Sequence, residues 1–194
     1  MTDAQENFDV ILTKYKTAGE IAAKAMRTLV DAAQEGKTVL ELMQLGDEAV
    51  EQGTAAVFKD KKMSKGLAFP TTVSINHVVC HGIPSDRTLR SGDIVNIDVT
   101  VVVDGWHGDT SRMYFVGEPS VKARRLVEVT REAMFRGIRA VKPGATLGDV
   151  GNAIQQYAEG ERFSVVREYC GHGIGRNFHE DPQVVHVGKK GTGV

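Results

Sequence analysis

With 194 residues, 24 Lys and Arg against 25 Asp and Glu, and a formal net charge of −1, the chain carries no surplus that would draw it to nucleic acid or to anionic lipid. A hydrophobic share of 41% is enough for a substantial core, and no apolar run approaches the length of a membrane span. The acidic start Met1 to Val10 does not read as a signal peptide, so residues 1–10 are expected to be a tail and the address cytoplasmic, where Cys80 and Cys170 stay reduced.

Residues 11–34 place Ile11, Tyr15, Ala18, Ala22, Met26, Leu29 and Val30 at helical spacing, and Gly36 ends that helix. Thr38 and Glu41 have the form of a capping box, which predicts a second helix to about Glu51. Lys59 to Lys65 reads as a charged, solvated loop. From Pro70 the pattern turns to strand over Thr71 to Cys80, then to a loop from His81 to Asp93.

The run Ile94 to Val116 is the centre of the chain. Two stretches of β-branched and alternating residues flank Asp104-Gly105, the signal of a two-residue hairpin whose turn residues must tolerate positive φ. With that turn, Val95, Ile97, Val99, Val101 and Val103 share one face, which is core. The other face carries Asn96, Asp98, Thr100, His107, Asp109 and Ser111. Asp98 lies opposite Ser111 and Asp109 opposite Thr100, so the carboxylates are diagonal neighbours roughly 7 to 8 Å apart. Two such groups need a shared proton, an arginine or a metal, unless the face is simply solvated; both readings stand at this point. A bulge at Gly108 would change the register.

Glu118-Pro119 ends the sheet, and Ser120 is the expected N-cap of a helix whose apolar residues are Leu126, Val127, Met134, Ile138 and Val141. Pro143-Gly144 ends it. Gly144 to Val150 then echoes Gly36 to Leu42 at an offset of 108 residues, each opening a second helix, and Phe163 to Tyr169 reads as another strand. Two halves, each a helix pair followed by strands, make an α+β fold. The same offset would put the counterpart of the central hairpin at about 202–224, so the second half is expected to be incomplete.

Among the histidines, His81 ends the predicted strand before a Gly-Ile-Pro turn, His172 stands between glycines, and His179 follows seven residues on. That spacing is not the His-x-x-x-His pair of a zinc helix. His77, His107 and His186 are read as exposed or simply hydrogen-bonded, Trp106 as sheet packing, and Cys80 as a small buried residue.

Together, Val73 to Pro84, Ser91 to Glu118, Gly171 to Gly175 and Phe178 to Pro182 closely resemble the bacterial type I methionine aminopeptidases, in order, across about Ile11 to Val187. The resemblance implies the pseudo-two-fold "pita-bread" fold, with residues 11–194 as a single metallopeptidase domain lacking its C-terminal strands. It implies removal of the initiator methionine from nascent chains by hydroxide held between two divalent ions (Co, Mn, Fe or Zn). By motif, Asp98, Asp109 and His172 resemble metal ligands, and His81 and His179 the catalytic, substrate-side histidines. The family's two further glutamate ligands follow the Phe-His-Glu-Asp-Pro motif, and no glutamate occurs after Glu180. The segment Gly66 to Thr72 differs from the family's usual pocket lining, so no specificity residues are assigned. The implied partners are N-terminal Met peptides and, through the family's task, the ribosome; a monomer is expected. Two other readings share the fold: an inactive or peptide-binding module, and an aminopeptidase or dipeptidase specific for X-Pro.

Overall fold

The computed structural model describes residues 7–57 and 70–194, which fall into two compact units. The charged run 59–65, residues 66–69 and the first six residues of the expected tail lie outside the described residues.

The first unit comprises residues up to Pro119 together with Gly175–Phe178. Helix α1 (Phe8–Ala32) starts at Asn7, whose side chain accepts from the Asp9 amide, and buries Ala18, Ile21, Ala22, Ala25, Met26 and Leu29. Helix α2 (Val39–Val57) runs about a turn and a half beyond its predicted end. Its capping box is formed as expected: the Thr38 amide donates to Glu41 (2.8 Å) and the Glu41 amide to the Thr38 hydroxyl (3.1 Å).

The sheet is antiparallel in the order β1 (Thr71–Ile75), β2 (Ile94–Val103), β3 (Trp106–Phe115). β1 is half the predicted length. Asn76 adopts a left-handed conformation (φ 55°), accepts from the Ile94 amide (3.0 Å) and donates to Asp93 (2.8 Å), so the chain turns out of the sheet after Ile75. The hairpin has the predicted register, with Val103 opposite Trp106, Asp98 opposite Ser111 and Thr100 opposite Asp109. Asp104 (φ 51°) and Gly105 (φ 81°) both take positive φ, as a right-twisting two-residue turn requires. Val95, Ile97, Val99 and Val101 have no solvent exposure, each contributing about 1.5 to 3 kcal/mol of burial. No bulge forms at Gly108, which pairs with Val101. Its bare Cα instead admits α1: a Cβ at position 108 would stand 2.9 Å from that of Ala18.

The second unit comprises Ser120–Ile174 and His179–Val194. Ser120 caps α3 (Val121–Ala140), and Thr146 with Asp149 builds a second capping box at α4 (Leu147–Gly160), 108 residues after the first. The echo is therefore structural: Gly36 and Gly144 both take positive φ before each box, and β5 (Glu180–Val184) comes one residue past the offset position of β1. β5 pairs antiparallel with β4 (Gly171–Gly173).

Two expectations fail in this unit. Residues 163–169 form no strand; their exposure alternates as in one through Val166, but among the described residues no ladder partner lies beside them. α3 buries Val129, Ala133 and Gly137 rather than the predicted face, and Leu126, Met134, Ile138 and Val141 are exposed. The reason is the close packing on α4, where a Cβ at Gly137 would meet Ile154 at 2.7 Å, so small residues define the contact.

Candidate metal and substrate site

The polar face of the hairpin is held by its own ladder. Asn96 and Ser111 exchange side-chain hydrogen bonds (2.8 and 3.1 Å), closing one end of the row. Asp98 is half-buried with its Oδ1 shielded from solvent, while Asp109 is exposed. Arg112 pairs with Ile97 and so leaves on the opposite face, and no Lys or Arg of β2 or β3 belongs to the carboxylate row. The register thus sets two carboxylates as diagonal neighbours at roughly 7 to 8 Å.

Thr72 and Ser74 of β1 pair with Asp98 and Asn96, so they share this face. The loop carrying His81 is fastened to it. The buried Gly82 amide donates to Ser74 Oγ (3.0 Å), and the Gly82 Cα sits so close over Val73 that a Cβ would stand 2.8 Å from its carbonyl carbon. His81 therefore does not end a strand, as the sequence suggests; it is exposed, six residues past Ile75, in a left-handed conformation (φ 53°). The glycine after it, pressed on the sheet, is what holds it there.

In the second unit the structure brings His172 and His179 together, their rings edge to face at 4.4 Å. His172 lies in β4 and its Nδ1 meets the Gly173 carbonyl oxygen at 2.8 Å. A carbonyl only accepts, so Nδ1 carries the proton and Nε2 presents the lone pair, which is the arrangement of a metal-ligating histidine. Hard carboxylate oxygens with an imidazole nitrogen suit a divalent first-row ion, and on that chemistry the donors fit. Within each unit, among the described residues, no three His, Cys, Asp or Glu side chains are gathered closely enough to hold an ion. Cys80 and Cys170 are both partly exposed. His186 is half-buried, and burial pushes its pKa below the ordinary 6.5.

Trp106 packs as expected, its ring 5.3 Å from Tyr15. His107 goes further than the sequence indicates. It is hydrogen-bonded, but also 9% exposed and stacked on Phe178 at 5.7 Å. Its position on the carboxylate face, two residues before Asp109, is the signal that could have singled it out.

The sequence profile described as metallopeptidase family M24 matches residues 13–193. The chain is 49% identical to a methionine aminopeptidase of Rickettsia prowazekii over 93% of its own length and 69% of the relative's. The crystal structure of methionine aminopeptidase from the same species superposes with a TM-score of 0.86 at 46% identity, covering 98% of this chain and 76% of that one. An X-Pro aminopeptidase from Thermotoga maritima shares the fold at 23% identity (TM-score 0.78, 97% and 51% covered).

Proposed function

The chain belongs to metallopeptidase family M24, among its methionine aminopeptidases, and from that premise we propose that it hydrolyses the peptide bond following an N-terminal methionine with the aid of divalent metal. The observation that carries the reading is the pair Asp98 and Asp109, set as diagonal neighbours on the polar face of a hairpin whose other face is core. Two carboxylates on one face at that spacing repel each other and favour a shared positive charge.

By motif, Asp98, Asp109 and His172 are the donors that would hold the ions, which we take to be two in number and to be Mn, Fe, Co or Zn. Bound divalent ions would supply Lewis acidity, activating water at neutral pH and polarising the scissile carbonyl. The remaining work falls to the chain itself. His179 would donate a hydrogen bond to the carbonyl oxygen as it gains negative charge, a contribution of about 2.7 to 4 kcal/mol in comparable sites. His81 would meet the nitrogen side of the bond. Left-handed backbone at residue 81 and the Gly82 anchor to Ser74, a residue of the carboxylate face, support that role, because they fix the backbone that carries the ring. Work on nascent chains would place the protein in the cytoplasm, at the ribosome and as a monomer. No described helix is long and apolar enough to cross a membrane.

The test is hydrolysis of Met-Ala-Ser by this chain with Mn or Co added, alongside the His179→Ala variant. Cleavage that requires the metal and falls about a hundredfold or more in His179→Ala supports the assignment. A folded, metal-loaded chain that binds the peptide without cleaving it would instead make this a peptide-binding module.

A further inference from the structure

His107 takes no part in the reaction as described, yet the tip of the hairpin is built around what it holds. Its backbone N–H (3.1 Å) and its ring Nδ1 (2.9 Å) both meet the carbonyl oxygen of Gly175. Since that oxygen can only accept, the neutral ring is the Nδ1–H tautomer. The same ring stacks on Phe178, with the planes inclined by 30°. Beside it the Arg176 guanidinium lies 4.9 Å over Trp106, and the Gly175 amide donates to the Asn177 carbonyl (3.1 Å), folding the four residues into a tight turn. Two consecutive residues of β3 thus grip Gly175, Arg176 and Phe178, all within the first unit. The peptide bond after Phe178 leads directly to His179, and His172 lies three residues before Gly175.

We infer that His107 is a positioning residue: as the Nδ1–H tautomer it fastens the Gly175 carbonyl while its ring seats Phe178, and so sets the segment from which His179 emerges. The functional half of this inference rests on reading His179 as the group that meets the scissile carbonyl. The structural half does not, and each half has its own readout. A histidine that merely filled space would be replaced without loss by a ring of similar size. Here the hydrogen bond should matter separately, so Asn, whose amide N–H can stand where Nδ1–H stood, should restore what Phe cannot.

The experiment combines nitrogen NMR of the histidine-labelled chain with timed trypsin cleavage at the Arg176–Asn177 bond, in the parent, His107→Phe and His107→Asn proteins. Beside that of His172, an imidazole in the Nδ1–H form that is missing from the His107→Asn spectrum is expected. Cleavage should be about fivefold faster in His107→Phe, the rise in local opening expected for one lost hydrogen bond, and should return toward the parent rate in His107→Asn. An Nε2–H tautomer at His107, or equal cleavage rates in the parent and His107→Phe, would overturn the inference. If His107→Phe does not fold, the tautomer in the parent and the rate in His107→Asn still decide it. In Met-Ala-Ser hydrolysis, His107→Phe should lower kcat more than it raises KM, with His107→Asn recovering kcat. An unchanged kcat in an active enzyme refutes the functional half, whereas an inactive parent refutes the reading of His179 and leaves the cleavage and NMR results to decide the anchor.

Discussion

Replacing Gly82 with alanine isolates the link between the sheet and His81. The residue is buried, its amide donates to Ser74 Oγ at 3.0 Å, and an added Cβ would stand 2.8 Å from the Val73 carbonyl carbon and closer still to its oxygen. Backbone of a paired strand does not yield, so the loop must rise by about 1 Å or more, to where ordinary van der Waals contact resumes. That movement breaks the hydrogen bond to Ser74. Losing the bond costs about 1 kcal/mol, and a buried donor left without a partner adds about 1 to 3 kcal/mol, for a total of roughly 2 to 4 kcal/mol. For a chain of this length the melting temperature should fall by about 5 to 15 °C. Two controls separate the causes. Ser74→Ala removes the acceptor without a clash but leaves the same buried donor unpaired, so it should cost about the same 2 to 4 kcal/mol, and any excess in Gly82→Ala measures the displacement of the loop. Gly36→Ala, at φ 92° with nothing within 4 Å of the new atom, should cost only the backbone strain, about 1 kcal/mol. Thermal and guanidinium unfolding of the three variants would measure this, and a Gly82→Ala protein within 0.5 kcal/mol of the parent, about the scatter of ordinary surface changes, would refute the reasoning.

Asp98→Asn and Asp109→Asn should each weaken Mn or Co binding at least about tenfold in calorimetric titration, as loss of an anionic ligand does; stoichiometric tight binding in both would remove these residues from the site. Thr38→Ala and Thr146→Ala should each destabilise the chain by about 1 kcal/mol, with the loss in amide exchange protection confined to the first turn of α2 and of α4 respectively. Burial works against the charge of Asp93, but the Arg90 amide, Asn76, and the hydrogen bonds and charge of Arg87 outweigh it, so its pKa lies below the ordinary 3.8. A carboxylate with a depressed folded-state pKa stabilises above the ordinary value, and that contribution fades as pH falls through the depressed one. Asp93→Asn should therefore cost about 1.5 to 3 kcal/mol at pH 6, with a gap from the parent that narrows below pH 4 in acid unfolding curves. Asp47 behaves oppositely. Burial raises its pKa above 3.8, so Asp47→Asn should stabilise the chain at pH 7 and have little effect at pH 3.

Local codes are legible in this sequence because they are completed within a few residues. The Asp104-Gly105 turn sets the hairpin register, and with it the diagonal of Asp98 and Asp109, since a period of two leaves no choice of face once the turn is placed. The two capping boxes and the Ser120 cap are equally local, and they expose the repeat. His172 and His179 are legible as candidates by their glycine and loop settings, although nothing in the spacing says that their rings meet at 4.4 Å.

What failed was everything that needs a partner from elsewhere. Residues 163–169 have the alternation of a strand, but alternation makes a strand only when another edge supplies its hydrogen bonds. β1 ends at Ile75 because Asn76 is recruited by Asp93 and Ile94, residues 17 and 18 positions away. The apolar face read on α3 is not the buried one, because the fit of Gly137 against Ile154 decides which side of that helix meets α4. Gly108 looks like a possible bulge until Ala18 is seen to occupy the space it leaves.

The sequence by itself thus determined the order of elements through α4, the hairpin, the caps and the chemical types of the site residues, all set by interactions of short range along the chain. Only the tertiary structure decided the left-handed presentation of His81 on its Gly82 anchor, the tautomer of His172, and the grip of His107 on Gly175. Each depends on a backbone carbonyl or a side-chain oxygen brought near by folding, and the direction of a hydrogen bond is not written in the identity of the residue that makes it.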